Sequence, residues 1–246
     1  CFVSFPPGTT KSNHGRHSVA NGKDLMRVHV ETLFTCDDAG RLLTVNEPAG
    51  VAAPRFFLGR TKDGNAWWFR HDVDTALAND LAVLCRGQPA SLEAGSTTSF
   101  IHRLSRTGAV RKTWAGPAYH FPSHLPGDET AVRVTLSNAS LLSPYLEDWR
   151  GDVATSVPMF VALEAQQAVS ICASVRIGTD AHEAGVETHA DFRGRGFAAR
   201  VVNAWARAVH ELGQIPLYST SWENESSRAL AQKLGLQQFG VDLHIT

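Results

Sequence analysis

Arg193-Gly194-Arg195-Gly196-Phe197-Ala198 follows a strand-like run at 183–189 and precedes a segment in which Phe197, Val201, Trp205, Ala208 and Leu212 recur every three or four residues. That recurrence predicts one apolar helix face, closed at Gly213. A strand, a glycine-bearing turn and an amphipathic helix, in that order, can seat an anion. Glycine lets the backbone turn sharply and come close to a ligand. The first helical turn leaves N–H donors without intrachain partners, and the helix dipole and two arginines add positive potential there. An ordinary strand-to-helix turn with surface arginines would use the same six residues. Gly194-x-Gly196-x-x-Ala199 also matches the dinucleotide fingerprint. That fingerprint opens a doubly wound sheet, however, and only two helices and two strands remain downstream. No acidic residue closes 217–220 to hold a ribose, and Glu223 comes later, in a loop. A Walker-type loop is excluded because Gly-Lys-Ser/Thr is absent.

Working outward, 131–136 reads as a strand and 141–149 as a helical stretch. Segments 160–164 and 168–175 flank Gln166-Gln167 and read as an antiparallel hairpin. Residues 216–220 form a strand, and a helix over 226–234 ends at Gly235. The last strand alternates, with Phe239, Val241, Leu243 and Ile245 on one face and Gln238, Asp242 and His244 on the other. In the first half, 27–30 and 41–45 read as short strands. Segments 55–59 and 66–70 read as a hairpin across Lys62-Asp63-Gly64-Asn65. Asp74 would cap a helix carrying Leu77, Leu81 and Leu84, stopped by Gly87. Residues 88–128, rich in Gly, Pro, Ser and Thr, read as a linker with short ordered pieces. No fixed-period repeat is present.

Arg193-x-x-Gly196-x-Ala198 resembles the Arg/Gln-x-x-Gly-x-Gly/Ala pattern of the GCN5-related N-acetyltransferases (GNAT). Downstream, Asn224-x-x-Ser227-x-x-Leu230-x-x-x-Leu234-Gly235-Leu236 is similar to the family's Asn-x-x-small-x-x-x-Tyr-x-x-x-Gly-Phe segment. The order of elements over 131–246 fits as well. The resemblance implies an α/β (α+β) GNAT fold: a mixed, mostly antiparallel sheet flanked by helices, with an additional N-terminal α+β domain. The expected organisation is a flexible tail over 1–25, an accessory α+β domain over 26–112 and an acetyltransferase domain over 113–246. The accessory domain is open to reading as a degenerate GNAT copy, although it has no Arg-x-x-Gly-x-Gly.

The resemblance further implies acetyl-CoA, or another short acyl-CoA, as cosubstrate. Arg193, Gly194, Arg195, Gly196, Phe197, Ala198 and Ala199 would hold its pyrophosphate. Main-chain groups near Val186 and Thr188 would pair with the pantetheine arm, and the Thr188 N–H would face the acetyl carbonyl and stabilise its oxyanion. Asn224 and Ser227 would contact the arm. An amine acceptor, small or a peptide N-terminus, would attack the thioester directly. An alkylammonium has a pKa of about 10.4, so a base is needed. Glu187, on the strand beside the thioester, and His182 and Glu183, at that strand's entrance, are the candidates; each would otherwise be a solvated strand-end residue. His189 reads as a loop residue. Where many members carry a Tyr that protonates the leaving thiolate, this chain has Ala231. Tyr218, on the next strand, is the candidate substitute, and CoA leaving as a thiolate is the other route. A non-catalytic acyl-CoA-binding module of the same fold is the alternative function.

Composition sets the outer bounds. The 246 residues carry 23 Lys+Arg against 24 Asp+Glu, a net charge of -1, which argues against gripping nucleic acid by bulk charge. No apolar run approaches the ~18 residues of a membrane span. Cys1, Cys36, Cys85 and Cys172 are far apart without a Cys-x-x-Cys pair, which suits a reducing cytoplasm. Cys172 reads as a core residue. The 11 histidines lack His-Glu-x-x-His spacing, so no metal is expected. Trp67-Trp68-Phe69 reads as hairpin core or as an aromatic wall, and Trp222 as a helix cap or a border of the acceptor cleft. Residues 1–24 lack a secretory signal. Met26 is expected nearer the functional start, and a lipid anchor at Cys1 is the minor alternative. A homodimer is compatible with all of this.

Overall fold

The structure, a computed structural model, describes residues 21–125 and 130–246. Of the flexible tail expected over 1–25, residues 1–20, with the Cys1 anchor, lie outside the described residues, and 22–25 belong to the first helix. Helix α1 (Gly22–Leu33) opens at Asn21, whose side chain accepts the Asp24 N–H. It buries Leu25, Met26, Val28, His29, Val30 and Thr32. This corrects one expectation: 27–30 is helix, not strand, and Met26 lies fully buried in the same helix. Val28 and Val30 alternate like a strand in a four-residue window. Over twelve residues, the capped start and the buried pairs 25/26 and 29/30 impose the helical period.

A small sheet of β1 (Phe34–Cys36) and β2 (Leu42–Val45) follows. Strands β3 (Phe56–Thr61) and β4 (Gly64–Phe69) form the expected hairpin. Asp74 caps α2 (Thr75–Arg86) by accepting the N–H groups of Ala76 and Leu77, and Gly87 ends it. The segment 88–128 is not merely a linker. It contains α3 (Thr98–Ser105) and β5 (Thr113–His120), and β5 is an interior strand of the main sheet. Gly116-Pro117 argued against a strand. The tertiary reason for the glycine is close approach: a methyl group there would overlap the Thr220 carbonyl oxygen.

The expected strand over 131–136 shrinks to β6 (Val132–Arg133), and the helical stretch becomes two 3-10 segments, Leu136–Leu142 and Glu147–Asp152. Strands β7 (Met159–Glu164) and β8 (Gln167–Ile177) turn through Ala165 and Gln166, both at positive φ. Then come β9 (Ala181–Thr188), α4 (Phe197–Glu211), β10 (Ile215–Ser219), α5 (Glu225–Lys233) and β11 (Gln237–Ile245).

The nine-stranded sheet has the order β4-β3-β11-β5-β10-β9-β8-β7-β6, antiparallel except for β9 with β10. This is the expected mixed, mostly antiparallel sheet flanked by helices, and the N-terminal β3–β4 hairpin extends it beyond β11. Helix α4 covers one face with Val201, Trp205 and Val209, packed on Cys172 and Tyr218. Helix α1 covers the other with Met26 and Val30, packed on Phe57, Ala118, Leu217 and Phe239. Leu77 and Leu81 of α2 and Phe100 and Leu104 of α3 pack with Leu243 and Ile245, so both faces of β11 are covered. Asp242, expected on a polar face, is fully buried. Among the described residues no helix is long and apolar enough to cross a membrane.

Candidate functional site

Strands β9 and β10 pair only at Ala181–Ile215, His182–Pro216 and Glu183–Leu217. Beyond those positions β9 continues to Thr188, while β10 is drawn away by pairing with β5, Ser219 lying opposite Ala118. A wedge-shaped gap opens between them. The His189 N–H bonds to the Val169 carbonyl, so odd residues of β9 direct their backbone groups to β8. The even residues Val186 and Thr188 turn theirs toward the gap. The Thr188 hydroxyl bonds Ser170 Oγ at 2.8 Å, and its carbonyl accepts from Arg193 Nε at 3.1 Å.

The glycine turn adjoins this gap. Gly194 (φ 75) and Gly196 (φ 88) adopt the left-handed conformation that glycine favours, and α4 starts at Phe197 with no side chain capping it. A methyl group at Gly194 would meet nothing, and one at Gly196 only Lys233 Nζ at 3.9 Å. The first turn of α4, with no side-chain cap and with Lys233 close by, is a place where a diphosphate fits. Arg195 is partly engaged: it pairs with Glu164 and lies over the Phe192 and Phe197 rings. Asn224 caps α5, accepting the Ser227 N–H at 3.0 Å, and the Ser227 hydroxyl bonds the Tyr218 hydroxyl. Ala231 is fully buried in the cluster that holds Tyr218. Burial, offset in part by Ser227, pushes the Tyr218 hydroxyl up to about 12.

The candidate bases lie on opposite faces of β9. His182 is not solvated at a strand end. It is 3% exposed and faces α4, with Nδ1 2.8 Å from Ser174 Oγ, which also accepts from Trp205 Nε1 at 2.9 Å. Burial lowers its pKa and keeps the ring neutral. Glu183, Gly185 and Glu187 share the other face by strand alternation. Trp149 lies against Gly185, and its Nε1 donates to Glu187 Oε2 at 2.6 Å at the open end of the gap. Glu183 is not a solvated strand-end residue either, being 4% exposed. Its Oε1 accepts from Ser219 Oγ at 2.7 Å, and its Oε2 lies 3.4 Å from Nδ1 of His29. His29 Nε2 is 2.9 Å from Asp242 Oδ2. His189 starts a short turn, its ring 4.6 Å from that of Tyr145. Burial pushes the Cys172 thiol well up, as suits a core residue.

Four residues around the gap escaped the reading of the sequence as site residues: His29, Asp242, Trp149 and Lys233. Only Asp242, a carboxylate in mid-strand, carried a local signal. The others are brought in by packing.

Residues 158–240 match the family model described as GNAT acetyltransferase. No curated protein matches the chain. Among solved structures, the chain is similar to a GCN5-related N-acetyltransferase-like protein from Streptococcus suis, at 17% identity over 79% of this chain and 85% of that one, TM-score 0.45. It is similar to a GCN5-related N-acetyltransferase from Sphaerobacter thermophilus, at 15% identity over 82% and 79%, TM-score 0.45. An acetyltransferase from the GNAT family of Novosphingobium aromaticivorans shares 16% identity over 56% of this chain and 66% of that one, TM-score 0.47.

Proposed function

We propose that the protein moves an acetyl or other short acyl group from acyl-CoA to a primary amine within a ternary complex, a reading supported by the match of residues 158–240 to the GNAT acetyltransferase family model. The observation that carries this is the parting of β9 and β10 beside an uncapped, glycine-started helix. One element offers donors for a diphosphate, and the other offers an opening through which an extended arm reaches the far face of the sheet.

In this reading Gly194 to Ala199 bind the pyrophosphate, with Arg193, Arg195 and Lys233 adding positive charge. Val186 and Thr188 pair with the arm, and Asn224 and Ser227 border it. Bound acyl-CoA supplies the activated carbonyl. The Thr188 N–H polarises that carbonyl, and Tyr218 with Ser227 stands near the sulfur. The acceptor enters from the opposite face, where Trp149 and Glu187 form the outer wall and Glu183 the inner end. An aromatic ring beside a carboxylate suits a cationic amine. Residues 113–246 are read as the acetyltransferase unit and 26–112 as an accessory unit that closes the acceptor face through α1.

Binding and turnover test this separately. Acetyl-CoA raises Tm if it binds the native state alone, and calorimetry gives its affinity. Release of free thiol with a panel of polyamines, aminoglycosides and peptides then identifies an acceptor. Binding without turnover on any amine would favour the non-catalytic module, a reading supported by Ala231 standing where a tyrosine donor is usual.

A further inference from the structure

The last paired position of β9 with β10 is Glu183 opposite Leu217. Two residues further on, Ser219 reaches back and donates to Glu183. The carboxylate thus bridges the two strands where they cease to pair, at the vertex of the gap. Behind it burial deepens step by step. Ser219 is partly exposed, Glu183 is 4% exposed, and His29 and Asp242 are wholly buried. Four separate elements, β10, β9, α1 and β11, converge to build this line of polar groups.

Such a line is costly. A buried ion pair is commonly no more stable than apolar residues of the same volume, so its presence is weak evidence of a stabilising role. Groups perturbed by burial and by specific partners at the edge of a cleft are candidates for function. His29 faces Glu183 from β9, and Asp242 and His244 from β11, with the Phe57 and Phe239 rings around it. Burial alone would lower its pKa. The hydrogen bonds and charges of Asp242 and Glu183 outweigh burial and raise it to about 10. His244 is held neutral by burial and by the charge of His29.

We infer that His29 is a positioning residue for the acyl transfer: its imidazolium, tied to Asp242, anchors the Glu183 carboxylate, which takes the proton of the incoming amine through the Ser219 hydroxyl. This rests on the acyl-CoA reading above. The amine lone pair forms the new C–N bond as the C–S bond breaks, and the sulfur leaves with the bonding pair as a thiolate. The proton released by the nitrogen passes to Ser219 Oγ, while the Ser219 hydroxyl hydrogen moves along its existing bond to Glu183 Oε1. The N-terminal region therefore supplies part of the proton-transfer apparatus, from a helix outside residues 158–240.

The test measures acetyl-CoA affinity by calorimetry and thiol release with n-butylamine as the probe amine, across pH, for the wild type, Ser219→Ala, Ser219→Thr and His29→Gln. General-base assistance is worth roughly 10²–10⁴-fold. Ser219→Ala is expected to lose about tenfold or more in turnover with acetyl-CoA affinity unchanged, and Ser219→Thr, which keeps the hydroxyl, to recover most of it. His29→Gln is expected to move the pH–rate profile upward by about one unit, in line with loss of an adjacent opposite charge. If His29→Gln does not fold, the Ser219 pair decides, together with NMR of the wild-type imidazole nitrogens, which should both remain protonated at pH 8. Wild-type turnover in Ser219→Ala, an unshifted profile in folded His29→Gln, or a neutral His29 at pH 8 would overturn the relay. So would a wild type that binds acetyl-CoA but releases no thiol with the amine. Absence of acetyl-CoA binding would instead overturn the reading beneath it.

Discussion

Ser219 and Glu183 sit on neighbouring strands that have stopped pairing, yet the Ser219 hydroxyl donates to the Glu183 carboxylate at 2.7 Å. Side chains span the gap where backbone no longer does. The residues meeting there come from distant parts of the sequence.

Gly196 at φ 88 stands in open space, so a methyl group is opposed by the backbone alone. Gly196→Ala is expected to cost about 1–2 kcal/mol of stability. It also intrudes on the diphosphate seat, so acetyl-CoA affinity should fall about tenfold or more in calorimetry. Unchanged affinity would place the coenzyme elsewhere.

Folding stability should depend on pH through His29. Its pKa rises from 6.5 in the unfolded chain to about 10 in the folded protein. Stability from this group is fully present below about 6.5 and is lost as pH climbs through 10. At about 1.4 kcal/mol per unit, the total is on the order of a few kcal/mol. Urea midpoints of the wild type and His29→Gln should draw together between pH 6.5 and 10. A constant difference over that range would show that His29 does not carry the charge.

Burial holds the Tyr218 hydroxyl at about 12, well above the ~8.5 of an ordinary thiol. Its proton would not pass downhill to a thiolate, so in the proposed reaction Tyr218 would serve as a hydrogen-bond donor rather than an acid. Tyr218→Phe is expected to lower turnover less than about tenfold and to leave the alkaline side of the rate profile in place. A larger loss, with that limb gone, would restore Tyr218 as the proton donor.

Glu187 is exposed and held by the Trp149 indole at 2.6 Å. Glu187→Gln should raise KM for cationic amines several-fold and leave the pH profile of turnover unaltered, since in the proposed relay the proton is taken at Glu183. A flattened profile would make Glu187 the base.

A side chain at Gly116 would overlap the Thr220 carbonyl, which is backbone and cannot step aside. Gly116→Ala is expected to cost about 3 kcal/mol, the upper end of overpacking, measured by urea unfolding. A loss under 1 kcal/mol would mean that β5 and β10 do not approach this closely.

Local pattern settled a great deal. The amphipathic period from Phe197 to Leu212, the left-handed glycines before it, the Asn224 cap and the β7–β8 hairpin are short-range consequences of neighbouring residues. They were sufficient to carry the family resemblance and to place the proposed coenzyme seat. Helix α1 and strand β5 were not readable in the same way. The first hid behind two β-branched valines, and the second behind Gly116-Pro117, whose role depends on a chain segment more than a hundred residues away. Tertiary packing alone decided that His182 turns toward α4 while Glu183 turns toward α1, and that His29 and Asp242 meet behind Glu183. Period and turn chemistry act over a few residues, whereas the partner of a buried charge is chosen by which elements stack across the sheet.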